Sequence, residues 1–79
     1  MCTSTTWLSK EFEGYCEDEF EYPALVSAQR KAEKLFWLWT DQHPGYAMTV
    51  RREGRCDMQT HSTYYHGRYR ITITYWKEQ

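Results

Sequence analysis

The chain has 79 residues and a formal net charge of −1, which points to one small domain whose core buries only about 60% of the unfolded surface. It also sets the chain apart from general nucleic-acid binders, which carry a strong positive excess. There is no apolar run of about 18 residues and no charged-then-apolar leader, so a cytosolic protein without a membrane span or signal peptide is expected.

Three cysteines, Cys2, Cys16 and Cys56, cannot all pair and form no Cys-x-x-Cys, which argues against a secreted disulfide framework. Reduced thiols are expected, with Cys2 near a frayed terminus as the one able to link two chains on oxidation. Fourteen aromatic residues offset the small size of the core, because each large ring buries roughly 150–250 Å². Charge is unevenly spread. Residues 1–23 carry Lys10 against six carboxylates, and the remainder carries nine Lys or Arg against five Asp or Glu.

In chain order, Thr5 to Glu13 predicts a strand with Leu8, Lys10 and Phe12 on one side and Trp7, Ser9 and Glu11 on the other. Gly14 is expected to bend it. Leu8, Phe12, Cys16 and Phe20 also recur every four residues, so a short helix is the alternative. Glu17 to Tyr22 then leads, extended, to Pro23.

Pro23 to Thr40 predicts a helix: Leu25, Ala28, Ala32, Leu35, Phe36 and Trp39 recur at three and four, gathering on one face at 3.6 residues per turn. Pro23 suits a first helical position, and Pro44-Gly45 ends the segment. Val26 and Trp37 point roughly 140–160° from the apolar stripe. Either Trp37 lies under the N-terminal segment or is a plain exposed aromatic, or Val26 and Trp37, with Leu38 at the border, form a dimer or partner contact, where tryptophan concentrates binding energy.

After the helix the period becomes 2. Tyr46 to Arg51 alternates, Arg52-Glu53-Gly54-Arg55 reads as a turn, and Cys56 to Thr60 alternates again, predicting a hairpin. A looser stretch from His61 to Gly67 precedes the strand Arg68 to Trp76, dense in β-branched and aromatic residues. Tyr46, Met48, Val50, Cys56, Met58, Tyr69, Ile71, Ile73 and Tyr75 should face the helix. Arg51, Asp57, Gln59, Arg68, Arg70, Thr72, Thr74 and Trp76 should face away. The expected fold is a two-layer α+β domain spanning residues 1–79, β-α-β-β-β, with one helix across an antiparallel sheet.

Four constellations bear on function. Cys56, Asp57, His61 and His66 have zinc-type side chains, but they lack the close ligand pairs of structural sites, so no metal or other cofactor is expected. Cys16 or Cys56 with a histidine is the one nucleophilic pairing available, without a nucleophile elbow, and the chain also lacks a Gly-rich phosphate loop; it reads as non-enzymatic. Arg51, Arg52, Arg55, Arg68 and Arg70 with Tyr64, Tyr65 and Trp76 mix cations and aromatics as nucleic-acid surfaces do, or form an ordinary polar sheet face. Finally, Glu11, Glu13, Glu17, Asp18, Glu19 and Glu21 interleave with Phe12, Tyr15, Phe20 and Tyr22. In an extended chain, same-face side chains recur every ~6–7 Å, close to phosphate spacing, so this run is either a nucleic-acid mimic or a solubilising edge.

In size, α+β make-up, absence of catalytic motifs and charge-segregated, aromatic-rich surface, the whole chain resembles the small phage-encoded inhibitors of bacterial defence, anti-CRISPR proteins above all. The resemblance is one of general character and carries no site residue with it. It implies a cytoplasmic inhibitor, acting in a bacterial host, that binds a CRISPR effector complex and blocks DNA recognition by steric cover or by presenting carboxylates in place of phosphates. On that reading the six carboxylates are the contact, with Trp37 as an apolar anchor. The runner-up is a nucleic-acid-binding module using the arginine-rich sheet face.

Overall fold

A computed structural model describes residues 7–58 and 63–77. Its elements are strand β1 (Leu8–Asp18), helix α1 (Glu21–Gln42), strand β2 (Tyr46–Met58) and strand β3 (Tyr65–Lys77). The strands form one antiparallel sheet in the order β1-β3-β2. β1 and β2 are therefore parallel to each other, and α1 is the crossover that such a pair requires. This is the expected two-layer α+β architecture, with three strands rather than four.

The missing strand traces to Arg52-Glu53-Gly54-Arg55, which is not a turn. β2 runs straight through it, with Arg52 opposite Ile71, Glu53 opposite Arg70, Gly54 opposite Tyr69 and Arg55 opposite Arg68. Among the described residues the one glycine with positive φ is Gly45, at +85°, so Gly54 lacks the conformation a tight hairpin turn needs. Pairing with the β-branched, aromatic β3 satisfies the backbone groups of the segment that face it, and that outweighs a weak turn signal. The reversal falls between Met58 and Tyr65; Gln59, Thr60 and His61 lie outside the described residues, as do Cys2, Thr5 and Thr6.

Gly14 does not bend β1 either, nor does the segment form the alternative helix. The strand continues to Asp18, and Glu19-Phe20 makes the only break before α1, so Glu17 to Tyr22 is not extended throughout. A Cβ on Gly14 would collide with the carbonyl oxygen of Ala28 and lie 2.8 Å from the amide nitrogen of Ala32. Gly67 is in the same position against the carbonyl of Ala24. Two glycines of the sheet thus seat a helix stripe of alanines at backbone contact.

Helix α1 begins two residues earlier than expected and ends two later. Phe20 is its N-cap, and the first internal bond runs from the Ala24 N–H to the Phe20 carbonyl at 3.2 Å. Pro23 is the third helical residue, still within the turn whose N–H groups have no helical partner. At the other end the ring of His43 stacks on Trp39 at 4.3 Å, and its Nδ1–H donates to the Trp39 carbonyl at 2.8 Å.

The core comprises Phe12, Ala32, Phe36, Trp39, Ile71 and Ile73, with Met48, Tyr69 and Tyr75 packed against it. Ile71 and Ile73 are fully buried on the central strand, each contributing about 1.5–3 kcal/mol of transfer free energy. The buried helix positions are Ala24, Ala28, Ala32, Phe36 and Trp39. Leu35, expected in the stripe, is exposed. Val50 and Met58, expected beneath the helix, are 38% and 51% exposed. The alanine–glycine seat holds α1 over β1 and β3 and leaves β2 largely uncovered.

Candidate functional site: the acidic corner and the open sheet face

The pleat sends alternate residues to opposite faces, and the register brings the face away from the helix into cross-strand rows. Glu17, His66 and Asp57 form one row; Tyr15, Arg68 and Arg55 the next; Glu13, Arg70 and Glu53 a third; Glu11, Thr72 and Arg51 a fourth. The acidic and basic candidate surfaces therefore interleave on one face. Glu13 accepts from Arg70 Nε at 3.1 Å, Arg51 pairs with Glu53 at 2.9 Å, and Arg55 with Asp57 at 3.0 Å. These pairs are exposed and contribute little stability, about 0–1 kcal/mol each, but they neutralise the face. Trp76 faces away as expected and closes the far end against Trp7, ring centroids 4.2 Å apart.

Three members of the arginine–tyrosine set are elsewhere. Arg52 is on the helix side, 3.4 Å from Glu33 and with its guanidinium 5.9 Å from the Phe36 ring centre. Tyr65 also faces the helix side, in register with Met58 and Asp18. Tyr64 is exposed at the turn before β3. What remains on the open face is Arg51, Arg55, Arg68 and Arg70, of which Arg68 makes no ion pair among the described residues and lies 5.7 Å from the Tyr15 ring centre. Arg55, Arg68, Arg70, Tyr15, Glu13 and Glu53 line a shallow depression of about 550 Å³.

At the end of this face Tyr15 donates to Glu17 at 2.6 Å, and its hydroxyl also contacts Nδ1 of His66. The hydrogen bond to Glu17 is the main reason the Tyr15 phenol is held above its ordinary pKa. Nε2 of His66 is buried and has no hydrogen-bond partner among the described residues. Cys56 faces the helix and donates to the Glu21 carbonyl at 3.7 Å. Burial first, then the charges of Glu21 and Asp57, push its thiol pKa up. Cys56 is thus on the opposite face from Asp57 and His66, and among the described residues no group of three His, Cys, Asp or Glu side chains could hold a metal ion. His61 is outside the described residues.

The six carboxylates do not share a surface. Glu11, Glu13 and Glu17 are on the open face, with Glu13 paired to Arg70 and Glu17 in contact with Tyr15 and 3.4 Å from His66 Nδ1. Asp18, Glu19 and Glu21 turn away with the chain at the β1–α1 corner. There the Asp18 carboxylate accepts the Phe20 N–H at 3.1 Å and shapes the turn. None of the three makes an ion pair among the described residues, and between them Phe20 and Tyr22 are 66% and 78% exposed. In sequence these two rings interleave with the acidic run; the turn makes them the most exposed large apolar side chains among the described residues. Trp37, 59% exposed, sits about 24 Å along the helix from Glu21, at 1.5 Å per residue, with half-buried Val26 on the same side.

The chain matches no protein-family model, no curated protein and no solved structure. No helix of the described residues is long and apolar enough to cross a membrane.

Proposed function

We propose that this chain is a non-enzymatic binding protein that engages a basic partner protein through the corner where β1 turns into α1. One observation carries this reading: Asp18, Glu19 and Glu21, without ion pairs among the described residues, flank the exposed rings of Phe20 and Tyr22 along the chain where the strand turns into the helix. Exposed aromatics that form an apolar centre within a charged rim are the composition of binding hot spots. Carboxylates beside them steer the approach of a cationic surface. Following the anti-CRISPR resemblance, the partner is a DNA-targeting CRISPR effector complex in the cytoplasm of a bacterial host. The corner occupies a nucleic-acid-binding surface on that complex.

Interleaving on the sheet narrows the mimic to this corner, because Glu13 and Glu17 are engaged by Arg70, Tyr15 and His66. A second reading, single-stranded nucleic acid on the open face, is favoured by Arg68 lying over Tyr15 without an ion pair among the described residues. The test is a pull-down from bacterial lysate with and without nuclease. Retention of a nucleic-acid-handling complex that survives nuclease and falls about tenfold or more in Glu19→Lys/Glu21→Lys supports the corner. Retention lost with nuclease, or lost in Arg68→Glu/Arg70→Glu instead, transfers the site to the sheet face. Retention unchanged by both variants refutes both.

A further inference from the structure

We propose that strand β2 pairs antiparallel with β2 of a second copy of this chain, about a twofold axis through Gly54, making a continuous six-stranded sheet. β2 is an outer strand of the sheet, and an outer strand presents unpaired N–H and C=O groups that template a further strand. Neither proline nor a break in register protects it along Tyr46–Met58. The helix does not cover it, which is why Val50 and Met58 are exposed on its helix side.

Charge complementarity identifies the occupant. A twofold pairing sets residue i of one copy against residue j of the other and j against i. With the axis at Gly54, Glu53 lies opposite Arg55 and Arg51 opposite Asp57, each pair occurring twice, so four complementary pairs line the open face. On the helix side Val50 lies opposite Met58, an apolar pair made twice. Directly opposed charges of opposite sign stabilise a strand pair, and like charges destabilise it. Neighbouring axes meet this criterion less well: centring on Cys56 keeps only the Arg55–Asp57 pair. Centring on Glu53 or Arg55 opposes each to its own copy, and centring on Arg52 sets two guanidiniums face to face. In the single chain the same four groups satisfy each other only along the strand, Arg51 with Glu53 and Arg55 with Asp57, at exposed positions.

The other outer strand excludes the same association. β1 carries Glu11, Glu13 and Glu17 on its open face and no cation there. Axes at Phe12 and at Gly14 oppose Glu11 to Glu13 and to Glu17, and an axis at Glu13 opposes that residue to itself. The strand that is self-complementary is the one left uncovered.

Sedimentation equilibrium on the full chain over a concentration series tests this. A species of twice the 9.6 kDa chain mass is expected, weakening as salt is raised. Arg51→Glu/Arg55→Glu should raise its dissociation constant about tenfold or more. The complete inversion R51E/E53R/R55E/D57R restores the pattern and should dimerise again, yet not mix with the native chain. The register is read by crosslinking: a mixture of Glu53→Cys and Arg55→Cys chains should form a disulfide between unlike chains, and neither variant alone should form one at that site. A native chain monomeric up to ~1 mM, near the effective limit of weak association, overturns the proposal. So does a species larger than a dimer, a dimer indifferent to Arg51→Glu/Arg55→Glu, or crosslinking of either cysteine variant with itself.

Discussion

β1 and β2 are the two outer strands of one sheet, paired to the same central strand along nearly their whole lengths, yet their surroundings differ. β1 is pressed against α1, because Gly14 and the alanines at 28 and 32 let two backbones touch. β2 meets the helix sparingly, through Arg52 reaching Glu33 and Phe36, Cys56 reaching the Glu21 carbonyl, Tyr46 beside Trp39 and Leu25 near Gly54. On the open face β1 shows carboxylates and β2 alternates sign. Here the helix sits where Gly14 and Gly67 let its backbone approach the sheet, and the strand left outside becomes a surface open to partners. The same feature that stabilises one edge exposes the other.

The largest break in this comparison comes from the seat. Gly14→Ala places a methyl group against backbone that cannot rotate away, and should cost about 3 kcal/mol in urea unfolding, at the upper end of overpacking effects. Gly54→Ala meets side-chain atoms instead, Leu25 Cδ1 and the Tyr69 ring at 3.2 Å. These can shift, so its cost should be about 1 kcal/mol or less. Equal costs for the two substitutions would mean that α1 is not anchored on β1.

A smaller effect tests the one charged tie between β2 and the helix. Arg52→Ala removes an ion pair and a cation over the Phe36 ring, both partly shielded, and should destabilise by about 1 kcal/mol. Arg70→Ala, which loses an exposed pair with Glu13, should cost about 0.5 kcal/mol or less. If Arg70→Ala is the more damaging of the two by thermal melt, the open face is more structured than its exposure implies. The mildest test is chemical. The raised pKa of Cys56 leaves less thiolate at neutral pH than an ordinary cysteine has. Its alkylation in the native chain should lag behind that of the denatured chain at pH 7 and gain as pH rises through the thiol range. Native and denatured rates that coincide at pH 7 would show that the helix side of β2 gives the thiol no shelter.

Much of the fold was legible because it rests on local periodicity. The alternation of Arg68 to Trp76 and the three–four spacing from Ala28 to Trp39 each have one structural solution, and the two-layer architecture follows from burying both apolar faces together. The candidate site was legible only in part. The acidic run was visible as composition, but its division between a neutralised sheet face and a corner without ion pairs among the described residues depends on where β1 ends, and that is set by long-range pairing with β3. The arginines were visible too, but Arg52, read as part of a turn, falls on the helix side once the strand runs through it, because alternate residues of a strand point to opposite faces.

The sequence by itself determined the helix, the central strand, the α+β class and the fact that charge is segregated along the chain, because periodicity and charge order are properties of neighbouring residues. Only the tertiary structure decided that Gly14 and Gly54 lie within strands rather than turns, that carboxylates and guanidiniums share a face, and that Phe20 and Tyr22 stand out at an acidic corner. Each of these depends on which distant backbone the residue meets. A glycine reads identically in a turn, a bulge or a close contact until the atoms opposite it are known.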